Sequence, residues 1–256
     1  DNVAYSNTYW TNFGYFTYDP AVEFSLNCSV GDCIVNIPSA TLKFLLVNNT
    51  SVNTNQNLEI ECEEAASYTG SLDLSTQQIQ DFTGIEAFIN LTSLNCAYNP
   101  ATNLDLSANT LLEELYCEYM NLTSLNVVGL SELQTLNCSY NQLISLDLSG
   151  CSSLNYLDCS NNGIETLDLS NQSVIEDVYC SNNFLTALDI SNGNNEAIDN
   201  FFTQNNPYLT CIQVDDAAWS VANWTNPIDY SFNAESSFSE DCSASNVNAP
   251  TNLTAQ

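Results

Sequence analysis

The chain has 256 residues and a formal net charge of −30, because 31 residues are acidic, only Lys43 is basic and there is no His. Such a charge repels nucleic acid and anionic membrane surfaces. The chain also lacks a histidine base and an arginine or free lysine that would stabilise an oxyanion, so the composition argues against an enzyme. We therefore predict a non-catalytic protein with no nucleic-acid partner and no membrane insertion.

The first segment of the chain repeats the last one. Residues 1–29 match residues 215–243 without a gap, with ten identities that include the Trp-Thr-Asn triplets beginning at Trp10 and Trp224. We predict that residues 1–33 are a copy of the C-terminal cap, either the tail of a preceding unit or a segment that contacts a neighbouring protomer. A duplicated N-terminal cap is the alternative.

Residues 34–70 are predicted to form an N-terminal cap. The stretch PSATLKFLLVNN predicts a short helix that begins near Ser39 or Thr41. Downstream, side chains with oxygen donors have the spacing of an EF-hand calcium loop: Asn53, Asn55, Asn57, Glu59, Glu61 and Glu64. Leu58 stands where the motif has Gly and the three early acids are Asn, so a metal-free loop held by Asn side chains is favoured over calcium binding. No other cofactor is predicted.

Residues 71–206 carry an internal repeat. Cysteines recur at one constant interval within the pattern L-x-x-L-x-C-x-x-N, at Cys96, Cys117, Cys138, Cys159 and Cys180. A fixed period of this length, together with this pattern, is the signature of a leucine-rich repeat solenoid. We predict about six coils, with parallel β-strands on a concave face, a mostly irregular or short-strand convex side, and caps at both ends.

Two columns of the repeat are predicted to point inward. The cysteines have no paired short spacing of the kind that zinc sites use, so they are expected to be buried free thiols. The Asn of the repeat, at Asn99, Asn141, Asn162 and Asn183, is expected to bond the backbone of adjacent coils. Met120 interrupts this series once.

The outward residues of the strands form a candidate ligand-binding surface. It combines tyrosines with acids and amides: Glu114, Tyr116, Glu118, Tyr119, Asn137, Tyr140, Tyr156, Asp158, Asp177 and Tyr179. Such a strip suits a sugar chain or a basic protein partner. A solvated strand face with β-favouring Tyr is the alternative.

Residues 207–242 are predicted to form an aromatic-rich C-terminal cap, followed by a linker over residues 243–256. Cys211 and Cys242 bracket this cap and are expected to form a disulfide. Cys33 and Cys62, which flank the other end of the array, are candidates for a second one.

The phrases VNIPSATLKFLL, VNTNQNLEIECEEA and LTCIQVDDAAWSVANWT, together with the LDLS–CSNN repeats, resemble secreted leucine-rich repeat proteins of Bacteroidetes. This resemblance implies an extracellular or cell-surface protein. Two functions are expected from the sequence. The first is a structural unit, repeated in tandem or head-to-tail with copies of itself in a surface fibre or large adhesin. The alternative is a recognition module that binds an extracellular glycan or protein on the concave face.

Overall fold

The structure is a computed structural model that describes residues 33–243, so the predicted cap copy before residue 33 and the linker after residue 243 lie outside the described residues. The helices are α1 (Ala40–Asn48), α2 (Cys62–Ser67) and α3 (Ala217–Asn223), with 3-10 turns at Ile85–Ala87 and Asn195–Ala197. The strands, in chain order, are β1 (Gly70–Asp73), β2 (Leu91–Asn95), β3 (Asn103–Asp105), β4 (Glu114–Tyr116), β5 (Ser124–Asn126), β6 (Thr135–Asn137), β7 (Tyr156–Asp158), β8 (Thr166–Asp168), β9 (Asp177–Tyr179), β10 (Ala187–Asp189), β11 (Asn200–Phe202), β12 (Cys211–Gln213), β13 (Tyr230–Ser231) and β14 (Ser237–Ser239).

These strands form a parallel β-solenoid. The long sheet has eight strands in the order β1-β2-β4-β6-β7-β9-β11-β13, and every neighbouring pair is parallel. Shorter parallel sheets, β14-β12-β10-β8 and β3-β5, are built from the other strand of successive coils. The predicted leucine-rich repeat solenoid is confirmed.

The constant step from one coil to the next keeps equivalent side chains in register. Leu115 on β4 is paired with Leu94 on one side and with Leu136 on the other. The strand position before and after each of these leucines faces outward, because side chains alternate along a strand. The interior is therefore a continuous apolar column: Leu94, Leu115, Leu136, Leu157, Val178 and Phe201, all fully buried.

The solenoid is longer than the six or so coils that the sequence predicted. At its two ends Leu74 and Thr203 occupy the place that the cysteines hold elsewhere, and their N–H groups bond the carbonyl groups of Asn95 and Ser231 in the next coil. Both residues are buried. The prediction of about six coils includes the coil of Leu74, where an apolar residue fills this interior position, and it misses the coil of Thr203.

The predicted thiol column is present. Cys96, Cys117, Cys138, Cys159 and Cys180 are free and buried, as is Cys151 on the opposite side of the coil. Burial raises the pKa of the Cys117 thiol, and the neighbouring Cys96 and Cys138 raise it further. Thiols kept protonated in this way behave as packing groups rather than nucleophiles.

A ladder of buried asparagine side chains joins the coils. Asn141 Oδ1 accepts a hydrogen bond from Leu122 N–H (3.0 Å), and its Nδ2 donates to the carbonyl oxygens of Cys117 (2.8 Å) and Cys138 (3.0 Å). Asn162 and Asn183 repeat this pattern, and Asn206 extends it by one coil. At the interruption, Met120 Sδ lies 3.9 Å from Cys96 Sγ.

Both ends of the array carry a helix and a disulfide. At the N-terminal end, α1 begins after Ser39, whose Oγ accepts a hydrogen bond from Leu42 N–H (3.3 Å), and Cys33 is joined to Cys62. At the C-terminal end Cys211 is joined to Cys242. There Trp224 packs in a cluster of aromatic rings: Phe201, Trp219, Tyr230, Phe232 and Phe238. These groups cover the apolar ends that a solenoid otherwise exposes. No described helix is both long and apolar enough for a membrane span.

Candidate functional site

The strand register brings the predicted binding residues onto one surface. We call the outward side of the long sheet the sheet face. One of its rows runs Glu114, Thr135, Tyr156, Asp177 across β4, β6, β7 and β9, and the next row runs Tyr116, Asn137, Asp158, Tyr179 across the same strands. Because neighbouring strands lie about 4.8 Å apart, seven of the ten predicted residues occupy one compact area, and Glu118 follows in the adjacent row.

Aromatic rings extend this area toward the C-terminal cap. The ring of Tyr179 lies 5.6 Å from that of Tyr156 and stacks on that of Phe202, with centroids 5.3 Å apart and planes 6° from parallel. Phe202 was not predicted from sequence. The step from Tyr179 to Phe202 is longer than the step from Asp158 to Tyr179, so the constant period does not reveal it.

Glu118 has an unusual environment on the sheet face. Its Oε2 is occluded from solvent and has no hydrogen-bond partner among the described residues. Burial raises the pKa of the Glu118 carboxyl, and the Asp158 carboxylate raises it further. Backbone hydrogen bonds place Glu118 in a row with Ala97 of the preceding coil and Ser139 of the following coil. Tyr98 N–H bonds the carbonyl group of Glu118, and Tyr119 N–H bonds that of Ser139.

Three exposed tyrosines form a stack beside this row, which we call the tyrosine ledge. Tyr98, Tyr119 and Tyr140 have left-handed backbones, with φ of 58°, 51° and 54°. Their rings stack with centroids 4.8 Å and 4.2 Å apart, and each residue is a little under half exposed. Tyr119 and Tyr140 were predicted to face the ligand; Tyr98 was missed, although it lies one period before Tyr119.

The backbone alone does not favour tyrosine at the ledge. The next three coils have Asn161, Asn182 and Asn205 at the same left-handed position, and Asn is one of the few non-glycine residues that adopts this conformation readily. A bulky residue in this region stores conformational strain, and such strain clusters at functional sites. The tyrosine ledge therefore carries backbone strain, and it lies at the same end of the sheet face as Glu118.

The sheet face has acidic groups but no cationic partner of its own. Lys43, the single basic residue of the chain, is in the N-terminal cap, where its Nζ lies 2.5 Å from Glu59 Oε2. On the sheet face, burial and then the nearby Asp158 raise the pKa of Tyr156 to about 12, with smaller contributions from Tyr179, Asp177 and Tyr116. The tyrosines therefore stay protonated, and the charge of the surface comes from its carboxylates.

The EF-hand-like loop satisfies its carboxylates internally. Glu64 Oε1 accepts hydrogen bonds from the N–H groups of Thr54 (2.7 Å) and Asn55 (3.1 Å), and the Glu61 carboxylate accepts from Nδ2 of Asn55 (2.9 Å) and Asn57 (2.5 Å). Burial alone would raise the pKa of Glu64, but the hydrogen bonds of its carboxylate with Glu61, Asn55 and Thr54 lower that pKa to about 2.

Amide hydrogens therefore take the place that a cation has in a calcium loop. Glu59 instead pairs with Lys43, and the Nδ2 of Asn53 donates to the carbonyl oxygens of Val47 and Asn57, while its Oδ1 is buried without a partner. Among residues 33–243 no group of three or more His, Cys, Asp or Glu side chains is arranged to hold a metal ion. Calcium binding stays a prediction.

Comparison with known proteins identifies leucine-rich repeat relatives. A family profile described as "Endo-beta-N-acetylglucosaminidase EndoS LRR domain" matches residues 55–195, just over half of the chain. A stretch of 48 residues is 50% identical to internalin J of Listeria monocytogenes serotype 4b (strain F2365), and covers 19% of this chain and 5% of internalin J.

Solved structures of Listeria monocytogenes proteins are also similar to this chain. One is the functional domain of InlJ, described as including a cysteine ladder, with a TM-score of 0.40, 26% identity and coverage of 71% of this chain and 52% of that chain. Internalin C2 gives a TM-score of 0.47 at 22% identity and covers 73% of this chain and 89% of that chain. The internalin InlF gives 0.49 at 17% identity and covers 82% and 72%. The chain spans about half of the InlJ structure.

Proposed function

Because the chain belongs to the leucine-rich repeat domain family of endo-beta-N-acetylglucosaminidase EndoS, we propose that it is an extracellular or cell-surface recognition module that binds a protein ligand through the sheet face. One observation carries this proposal: tyrosines and carboxylates converge on adjacent strands of a rigid parallel sheet. Tyrosine combines a large apolar surface with a polar hydroxyl, which makes it a frequent anchor in protein interfaces.

The remaining chemistry of the chain supports a non-catalytic, extracellular role. The absence of His and Arg from the sequence leaves few side chains for acid–base catalysis or oxyanion stabilisation. The disulfides Cys33–Cys62 and Cys211–Cys242 fit an oxidising compartment. The more specific resemblance to secreted Bacteroidetes proteins stays a prediction.

Binding measurements on the full chain test this function. The chain is applied to panels of immobilised extracellular proteins and glycans, and the strongest ligand is measured again with Tyr116→Ala and Tyr179→Ala. Each substitution is expected to weaken binding about tenfold or more, because buried aromatic anchors carry most interface energy. Tyr208→Ala is the matched control, since Tyr208 is 61% exposed and lies outside the long sheet. Binding that is unchanged in both face variants would contradict the proposal, as would a glycan ligand in place of a protein.

A second candidate function is the tandem or head-to-tail assembly of units into a fibre. It is favoured by a correspondence between the structure and the sequence: the rings clustered at the C-terminal cap have aromatic counterparts at the matching positions of the N-terminal copy. Trp219, Trp224, Tyr230, Phe232 and Phe238 correspond to Tyr5, Trp10, Phe16, Tyr18 and Phe24.

Assembly between chains has a direct test, although the N-terminal copy lies outside the described residues. Sedimentation of the full chain is expected to show oligomers that grow with concentration, and Trp10→Ala is expected to reduce them. A monomer at all concentrations, in both the parent and the variant, would remove head-to-tail assembly and leave the recognition function standing.

A further inference from the structure

A cleft opens at the C-terminal end of the solenoid, between the 3-10 turn Asn195–Ala197 and the start of α3, and we call it the cap cleft. None of the residues that line it belongs to a strand of the long sheet, so it is separate from the sheet face. Its volume is about 480 Å³, and small-molecule sites have volumes of about 300–1,000 Å³. The lining residues Gly193, Glu196 and Asp216 are exposed. The cleft therefore has space for a small ligand and is open to solvent.

Hydrogen bonds of Asp215 fix one wall of the cap cleft. Asp215 Oδ1 accepts a hydrogen bond from Gly193 N–H (2.9 Å), and its Oδ2 accepts one from Asn195 N–H (3.3 Å). Asp215 N–H in turn donates to Asn195 Oδ1 (2.7 Å). On the other wall, Asp216 Oδ1 accepts a hydrogen bond from Trp219 N–H (2.8 Å). The cleft is therefore already formed in the free chain, and a ligand does not have to order it.

Trp219 gives the cap cleft an aromatic surface and a free hydrogen-bond donor. Its side chain is half-buried and packs in a T-shaped contact with Trp224, with ring centroids 6.0 Å apart. The Nε1 of Trp219 has no hydrogen-bond partner among the described residues and is not occluded, whereas the Nε1 of Trp224 is occluded. An indole ring offers an apolar face to C–H groups and one N–H to an acceptor.

Carboxylates supply hydrogen-bond acceptors to the cap cleft. The Glu196 carboxylate has no hydrogen-bond partner within residues 33–243. Asp216 uses Oδ1 for Trp219 N–H, which leaves its Oδ2 available to a ligand. Among the residues that line the cleft, none is basic. A lining that contains carboxylates and no positive charge repels acidic ligands.

These donors and acceptors together match the hydroxyl groups of a sugar. A hydroxyl both donates and accepts hydrogen bonds, so one sugar ring can donate to Glu196 and Asp216 and accept from the indole N–H of Trp219. An ammonium or guanidinium group satisfies carboxylates but has no acceptor for the indole N–H. A metal ion fits less well, because no group of three or more metal-binding side chains is arranged to hold one in the described part of the chain.

We propose that the cap cleft binds a neutral sugar, with Glu196 and Asp216 accepting hydrogen bonds from its hydroxyls and Trp219 packing against its ring and donating from Nε1. This site goes beyond the proposed function, because it takes a second kind of ligand at a place that the sheet face does not include. One sugar unit has few atoms with which to make contacts, so a Kd of about 1–10 mM is expected.

Saturation-transfer difference NMR on the full chain tests this site, with the methyl glycosides of glucose, galactose, mannose and N-acetylglucosamine as probes. The ring protons of at least one probe are expected to receive saturation, and a titration gives its Kd. Glu196→Gln is expected to weaken binding about fivefold or more, because a charge-assisted hydrogen bond is lost. Trp219→Phe, which keeps a ring but removes the N–H, is expected to weaken it about threefold.

The matched control is Glu235→Gln, which removes the same charge from an exposed residue of the C-terminal cap that does not line the cleft. It is expected to change the Kd less than about twofold, because exposed charges act weakly at a distance. Circular dichroism shows whether each variant folds. Glu196 lies on an exposed turn, so Glu196→Gln keeps the test decisive even if Trp219→Phe unfolds the cap.

Three results would overturn the inference: no saturation of any of the four sugars, equal losses in Glu196→Gln and Glu235→Gln, or tighter binding of choline or glucuronate than of every neutral sugar. The failure of the proposed function is distinguishable from these. If Tyr116→Ala and Tyr179→Ala weaken a protein ligand while no sugar binds, recognition by the sheet face stands and the cap cleft is not a sugar site. If sugar binding depends on Glu196 while no protein ligand depends on the two tyrosines, the sugar site stands and the recognition function fails.

Discussion

Replacement of Asn141 by alanine tests whether the asparagine ladder holds the coils together. The Asn141 side chain is 9% exposed, and it links two adjacent coils through Leu122 N–H and the carbonyl groups of Cys117 and Cys138. Alanine leaves these backbone groups inside the solenoid without their partner. It introduces no new charge and no larger side chain, so the loss of hydrogen bonds dominates the effect.

The expected loss of stability follows from the number of groups affected. Each buried polar group that loses its partner costs about 1–3 kcal/mol, so the three short bonds of Asn141 together imply a loss of about 4 kcal/mol in the free energy of unfolding. For a domain of this size, each kcal/mol lowers the Tm by about 2–4 °C. Asn141→Ala is therefore expected to lower the Tm by about 8–16 °C.

Thermal and urea unfolding monitored by circular dichroism measure this difference. Asn121→Ala is the control, because Asn121 is exposed and its Oδ1 accepts a long bond of 3.5 Å from Gln142. We expect the control to change the Tm by less than about 2 °C, as most surface substitutions do. If the two variants unfold at the same temperature, the ladder does not stabilise the solenoid and the reasoning is refuted.

Other residues give further predictions. Met120→Asn places an amide at the interruption of the ladder. This variant is expected to be more stable than Met120→Asp by about 3 kcal/mol, because Asp has the same shape but brings a buried charge and no donor. Equal unfolding midpoints of the two variants would exclude a ladder position at residue 120. Cys28 is the one cysteine outside residues 33–243, so it is first replaced by Ser. In that background Ellman's reagent is expected to detect no thiol until the chain unfolds, and rapid labelling of the folded chain would contradict the buried thiol column. Removal of the Cys211–Cys242 disulfide by substituting both residues with alanine is expected to lower the stability by about 2–4 kcal/mol, seen in urea melts. The lowered pKa of Glu64 contributes stability that is present above the unfolded-state pKa near 4.5 and lost as the pH falls toward about 2. Glu64→Gln is therefore expected to flatten the acid limb of the curve of stability against pH. An acid limb parallel to that of the parent chain would refute this.

The repeat made most of the fold predictable. Its constant period places each leucine and cysteine at the same point of successive coils, so burial of Cys96 and Cys117 follows from sequence position alone. The hydrogen bonds of Asn141 were predictable in kind, because a buried amide needs donors and acceptors and adjacent coils supply them. The coil of Thr203 at the C-terminal end was missed, because Thr replaces the cysteine there.

Features that depend on side-chain geometry were not predictable. The sequence places Glu118 on the outward side of a strand, which correctly puts it on the sheet face, but it does not show that one carboxylate oxygen is occluded there. The stacking of Tyr98 on Tyr119 requires a left-handed backbone, which sequence statistics assign to Asn or Gly rather than to Tyr. In the EF-hand-like loop, a framework of Asn side chains was expected, but the sequence does not show that the amides of Asn55 and Asn57 both bond the Glu61 carboxylate.

Because the register is unbroken from Leu94 to Val178, each coil presents the same pairing positions to the coils on either side. Since a coil contacts only the coils before and after it, the insertion or deletion of one whole repeat leaves both caps and the interior column matched. Such a change moves Glu118 and Tyr179 closer together or farther apart by a fixed step of about 4.8 Å. Recombination within the repeats can thus adjust the spacing of contact points on the surface without redesigning the interior.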